Sequence, residues 1–423
     1  MDKVKILNTK FIFIYIALIS FIAFMLLTII WHNYITSKLP YLTNEDGQLV
    51  YSRLHFFFGP LLENLVNKNE YFFSYLNQKI YLGRMPLIPF FLDTTLTYVT
   101  KSYLGILIIK NFILISLVLY FLKKFFKKNL LIFISLVILF YNPYNTATIV
   151  KLIPEESYTS IFLLILFLGL SMHKKPNFIL VGILITLIYL TKASMLFFCY
   201  FLSIFLILIF KSKESFLPFI LVLCAYLLWA SNGYYKTGKF VSPFSTSSIS
   251  GFTLALAYDE NFLKIYPNQS PDILLDKIIK KNKDKILKSR TEHELDKIFK
   301  DEVFNKIISD KKFLVKLFFR KLYVLFINIK FDAQILSSDN YNNIRFTEIP
   351  NKIFFNVSLL LLIISVINKK KFEREDYYYI VFIIFYLLPY MIGFIYTRHI
   401  VPLYIIGNFY IYLKYLKYKK IYE

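Results

Sequence analysis

The run FIFIYIALISFIAFMLLTII, residues 11–30, holds no charged side chain. The hydrocarbon core of a bilayer takes roughly 20 apolar residues per helix, so a run of this length is built to cross it. Further apolar blocks recur along the chain. Inside lipid every backbone N–H and C=O must be satisfied within the protein, which leaves helices or a closed barrel. The strand-length alternation of polar and apolar residues that marks a barrel is missing. With 57% hydrophobic residues over 423 positions, a soluble globule is excluded. The expectation is an all-α polytopic membrane protein. The first run exceeds a signal-peptide core and no small-x-small cleavage site follows it, so it reads as an uncleaved span.

Hydropathy places about ten spans, near 11–31, 104–122, 129–142, 157–172, 177–190, 195–210, 216–230, 352–368, 378–396 and 400–416. Charge bias orients them. With the N-terminus in the cytoplasm, the cytoplasmic segments are Lys3/Lys5/Lys10, KKFFKK (123–128), HKK (173–175), KSK (211–213), KKKFER (369–374) and KYLKYKK (414–420). Together they hold nineteen Lys and Arg, against Lys151, Lys192 and Arg398 in the short outer loops. Cationic loops stay inside, so both termini are expected in the cytoplasm. Two long segments then fall outside, 32–103 and 231–351. The chain divides into an N-terminal membrane module (1–230), an outer cap (231–351) and C-terminal spans (352–423). In the cap, ELDKIFKDEVFNKII (294–308) puts Leu295, Ile298, Phe299, Val303, Phe304, Ile307 and Ile308 on one helical face. KKFLVKLFFRKLYVLF (311–326) is too charged to span and is expected to lie in the interface plane.

The formal charge of +23 would raise nucleic acid as a partner in a soluble protein. Here the excess lysine reads as topology signal and contact with anionic membrane lipid, with no nucleic acid. Cys199 and Cys224 both sit in apolar runs, with neither a disulfide framework nor metal spacing.

Polar residues on the expected outer face are few and clustered. The first loop carries Glu45, Asp46, Tyr51, Arg53 and His55, then LGRMPLIPFFL (82–92) with Arg84. Glu155 and Glu156 open the fourth span, Lys192 stands between two spans, and YTRHIVPLY (396–404) brings Arg398 and His399. Singly, each has an ordinary reading: solvated loop acids, headgroup anchors or a snorkelling lysine. Together they set acids and bases at the ends of several spans on one face, where polar groups are costly and tend to be functional. A carboxylate there suits a general base, and Arg and Lys suit a phosphate.

The order of these motifs resembles the GT-C class of polytopic glycosyltransferases, closest to the bacterial RgtA/B/C/D-like relatives of the dolichyl-phosphate-mannose–protein mannosyltransferases. EDGQLVY matches the acidic motif and following Tyr of the first outer loop, and RMPLIPFF an Arg-x-Pro-hydrophobic-x-Pro element. Glu156 in EESYTSIFLLIL matches the Glu before the fourth span, and Lys192 the basic residue between middle spans. NGYYKTGKFV matches a run after the seventh span, and RHIVPLY a late Arg-aromatic-x-x-Pro, with His399 at the aromatic position.

The resemblance implies transfer of a sugar from a polyprenyl-phosphate donor to an acceptor hydroxyl of an envelope glycan, lipid or protein. Transfer would be on the extracytoplasmic side of a bacterial plasma membrane, with inversion. It implies Asp46 or Glu45 as the base, Arg84, Lys192, Arg398 and His399 around the phosphate, and Tyr51 and Glu156 at the substrate. No metal ligand set is implied; a divalent ion is compatible with the acids but not required, because a cation clamp can take its place.

Two other readings stand beside this one. A polysaccharide polymerase or O-antigen ligase would use the late loop with RHIVP and need no acid in the first. A lipid-linked sugar flippase or other transporter would favour related halves and charges buried mid-span, where only Lys110 qualifies.

Overall fold

The computed structural model describes residues 2–38, 58–76, 78–100, 103–140, 154–240, 250–266, 274–328, 341–368, 372–393, 395 and 397–419. Apart from one short hairpin, most of the described residues are helical. In order come α1 (Asp2–Lys38), α2 (Phe58–Lys68), a hairpin of β1 (Phe73–Tyr75) and β2 (Gln78–Ile80), a π-helical stretch Leu87–Asp93 and α3 (Thr94–Val99). Then follow α4 (Tyr103–Phe125), α5 (Asn129–Phe140), α6 (Pro154–Met172), α7 (Phe178–Thr191), α8 (Leu196–Phe210) and α9 (Leu217–Thr237). Four short helices come next, α10 (Ser250–Tyr258), α11 (Phe262–Ile265), α12 (Leu275–Lys281) and α13 (Lys283–Lys288). The chain closes with α14 (Glu292–Ser309), α15 (Lys311–Phe326), α16 (Tyr341–Ile367), α17 (Arg374–Ile392) and α18 (Thr397–Tyr418).

Seven helices among the described residues are long and apolar enough to cross a bilayer, over Ile12–Ile30, Leu104–Phe125, Glu155–Met172, Ala193–Phe210, Lys213–Thr237, Ile349–Ile367 and Arg374–Ile392. Apart from the two-stranded hairpin, the described residues form a helical, multi-pass architecture. The run expected at 129–142 is helical over its described residues, Asn129–Phe140, and the run expected at 177–190 forms a helix of 14 residues, Phe178–Thr191. At 1.5 Å per residue the 14-residue helix reaches about 21 Å, short of the ~30 Å core. The run at 400–416 lies in α18, whose 22 residues are long enough but more polar. α9 also runs past 230 to Thr237, where Gly238 takes the left-handed conformation (φ 71°) and ends it.

Local signals explain several boundaries. Asn177 caps α7 by accepting from the Ile179 and Leu180 amides at 3.1 Å. Pro154 opens α6, where its missing N–H costs nothing and Glu155 and Glu156 face the positive end of the helix dipole. A reciprocal box of Glu373 and Asp376 starts α17.

α6 is buried on nearly every side and is the axis of the bundle, packed by α4, α7, α17 and α18. α18 is its inner partner, buried from Val401 to Tyr410. At the far end from Pro154, Asp376 accepts from Tyr410 Oη (2.5 Å) and Lys414 Nζ (2.6 Å), locking α17 to α18.

The two long segments expected on one side of the membrane meet. The Glu292 carboxylate accepts from the Tyr81 amide at 2.9 Å, and Gln78 donates to the Ser289 carbonyl at 2.7 Å. Tyr75 packs edge-on to Phe252, which in turn packs on Phe299. At Gly251 an added Cβ would fall 2.3 Å from the Asp296 carbonyl, so α10 and α14 touch backbone to backbone. On the apolar α14 face, Leu295, Phe299 and Val303 are buried, and Phe304 and Ile308 are exposed.

Candidate active site

The site gathers at the end of the bundle where α6 and α18 begin and α7 and α17 finish. Arg84 is set by the hairpin before it. Tyr71 Oη donates to the Arg84 carbonyl at 2.9 Å, and Gly83 lies so close to Phe73 that a Cβ would meet the ring at 2.6 Å. Burial, with the charge of Glu155 adding and that of Arg84 opposing, pushes the Tyr71 hydroxyl well above its usual range, so it stays a donor. Arg84 Nη1 lies 3.5 Å from Glu155 Oε1.

Glu156, the next residue, faces two further cations. Lys192 follows the last turn of α7 in extended backbone, and its Nζ donates to Glu156 Oε1. Burial pulls the Lys192 ammonium down, but Glu156 and Tyr390 more than offset it, and its pKa ends above the ordinary lysine value. His399 Nε2 stands 3.7 Å from the same carboxylate oxygen. The His399 ring stacks on Tyr390 at 4.6 Å, Lys192 Nζ lies 5.3 Å from the centre of the Tyr390 ring, and Tyr386 Oη donates to the His399 carbonyl at 2.7 Å. The other oxygen of Glu156, Oε2, is buried and accepts no hydrogen bond among the described residues.

Of the residues singled out in the sequence, the fold therefore brings together Arg84, Glu156, Lys192 and His399. Arg398 lies on the first turn of α18, but its side chain is outside the described residues, as are Glu45, Asp46 and Tyr51. Among the described residues no three His, Cys, Asp or Glu side chains are grouped to hold a metal ion.

Two members of this cluster and one buried acid outside it were not legible. Tyr386 and Tyr390 are two of 34 tyrosines, and only their i, i+4 spacing at the end of a span sets them apart. Asp93 was hidden in an apolar stretch of the first loop. It accepts from Lys110 Nζ at 2.7 Å, both buried, and Tyr158 Oη donates to the Lys110 carbonyl at 3.1 Å.

Chemically, the arrangement holds two fixed cations and an imidazole within reach of two adjacent carboxylates, walled by aromatic rings. A phosphate entering such a place meets an Arg fork and a Lys point charge already desolvated and oriented, the condition under which cations stabilise developing negative charge best. Compared with models of known families, with curated proteins and with solved structures, the chain finds no match.

Proposed function

We propose that this protein is a membrane glycosyltransferase that moves a sugar from a polyprenyl-phosphate carrier to an acceptor hydroxyl. One observation carries the reading. Arg84, Lys192 and His399, far apart in sequence, are linked through Glu155 and Glu156 at one end of a helical membrane bundle. A lipid-borne phosphate would present itself at that depth. On this reading Arg84, Lys192 and His399 bind the phosphate and stabilise it as it leaves. Glu156 Oε2 accepts from a sugar hydroxyl, and Asp46 or Glu45 takes the proton of the attacking hydroxyl. The ten-span arrangement with both termini cytoplasmic accords with this reading, the bilayer thinning around the 14-residue helix α7. It sets the site on the extracytoplasmic face, beneath the cap.

Transport has less support. Lys110, the one cation well inside a span, is neutralised by Asp93. A polymerase or ligase would use His399 but leave the Arg84–Glu155 pair without a role.

The test is release of free polyprenyl phosphate from a panel of polyprenyl-phosphate sugars, by membranes carrying wild type, Asp46→Asn or Glu45→Gln, with native envelope extract as acceptor source. Release by wild type that collapses in one acid variant is the expected result. Wild-type release that survives both substitutions moves the base out of the first loop. No release from any donor, while polymer extension proceeds, overturns the reading in favour of a polymerase.

A further inference from the structure

At the end of the bundle opposite Glu156, the last turns of α4 and α6 and the first of α7 enclose a cavity of about 210 Å³. Its rim carries Lys124, His173 and Lys175, all three exposed. Its floor is apolar, formed by Ile165, Leu166 and Leu184, and no carboxylate is among its described lining residues. Gly169 keeps the slot open. A Cβ there would already touch the Phe125 ring at 3.7 Å, and anything larger would bridge α6 to α4. Along α6 the slot extends from His173 toward Ile165, which at 1.5 Å per residue is about 12 Å.

Three bases at the helix ends have an ordinary explanation, since cations favour helix C-termini and cytoplasmic loops. That accounts for the charge but not for an apolar slot beneath it. Basic pockets between membrane helices suit anionic lipid headgroups. A free phosphate would use the rim and leave the floor uncovered, whereas a neutral lipid would fill the floor and leave three bases unmatched. We propose that this cavity binds an anionic phospholipid, its phosphate among Lys124, His173 and Lys175 and the upper part of one acyl chain over Gly169. The proposal does not depend on the transferase reading.

The test uses the full chain, stripped of lipid in detergent and titrated with phosphatidylglycerol, phosphatidylcholine or inorganic phosphate. Binding is followed by native mass spectrometry and thermal stabilisation. Wild type is expected to bind phosphatidylglycerol at least about tenfold more tightly than phosphatidylcholine, as two or three bases near a headgroup provide. Lys124→Glu/Lys175→Glu should bring the two lipids level. Lys211→Glu/Lys213→Glu, at a helix end that does not line the cavity, should leave the preference intact. Gly169→Leu should weaken phosphatidylglycerol binding by filling the slot; if that variant does not fold, the charge variants decide. Equal affinity for the two lipids in wild type, or a preference that survives Lys124→Glu/Lys175→Glu, overturns the proposal. So does stabilisation by phosphate alone equal to that by phosphatidylglycerol, which would mean an anion site without a lipid.

Discussion

Glu156 holds Lys192 in place: the lysine Nζ donates to Glu156 Oε1, and both groups are buried. The bond joins the first turn of the central helix α6 to the chain leaving α7. Taking one partner away strands the other charge out of water. Such a loss costs roughly 3–5 kcal/mol, whereas replacing both partners by apolar groups is near neutral. Glu156→Ala and Lys192→Met should therefore each lower the midpoint of thermal unfolding in detergent, and the double variant should recover most of it. Activity should not recover, because the double variant still lacks the Lys192 ammonium of the proposed phosphate clamp and the Glu156 carboxylate that positions it. Recovery of polyprenyl-phosphate release in the double variant would falsify the assignment of Lys192 to the clamp.

The Asp93–Lys110 pair has similar burial but a different expected outcome. Its Nζ–Oδ1 distance is 2.7 Å, and it ties the later part of the first loop to α4. Asn111 beside it donates to Thr28 at 2.8 Å, joining α4 to α1. Lys110→Met should destabilise by roughly 3–5 kcal/mol, and Asp93→Leu/Lys110→Met should restore the loss. On the proposed function, release of polyprenyl phosphate should here return together with stability. A double variant that is stable but inactive would give the pair a part in the chemistry.

The contrast between these two pairs bears on what a sequence discloses. Spans were legible because length and apolarity are properties of one segment at a time. Arg84, Lys192 and His399 stood out because charges near the ends of apolar runs are rare. Their grouping around Glu156 depends on which helices pack together, and no single segment encodes that. Asp93 was missed for a related reason. In an apolar stretch an isolated acid looks like a boundary marker until the partner, seventeen positions along on another helix, is known.

Arg84 and Lys cannot be exchanged at the site. The guanidinium is oriented by the Tyr71–carbonyl bond upstream and by Glu155 at 3.5 Å, and offers a planar fork that an ammonium lacks. Arg84→Lys keeps the charge beside Glu155, so folding and membrane insertion should be largely unchanged. Losing one charge-assisted hydrogen bond to a phosphate costs about 1.5–3 kcal/mol, which is roughly 10- to 150-fold in kcat/KM for the lipid donor. Steady-state kinetics across donor concentrations measure this. A variant within twofold of wild type would reduce Arg84 to a structural partner of Glu155.

Lys321 ties the amphipathic helix α15 to the site end of α17. Its Nζ donates to the Met391 carbonyl at 2.5 Å and to the Ile392 carbonyl at 3.3 Å, and Tyr258 Oη donates to the same Ile392 carbonyl at 2.9 Å. Burial lowers the Lys321 pKa to about 7. In the unfolded chain a lysine releases its proton near ~10.4. Between those values the unfolded state binds more protons than the folded one, so this group makes stability rise with pH. The penalty for burying the charge is present in full below about pH 7 and is relieved progressively up to the unfolded value. Lys321→Met removes the titration along with the two hydrogen bonds. The difference in unfolding midpoint, variant minus wild type, should therefore fall steadily from pH 6.5 to 9.5, whatever its starting sign. Thermal unfolding of both proteins across that range measures it. A constant difference would mean that the ammonium keeps its proton throughout and that its bonds to the α17 carbonyls outweigh its burial.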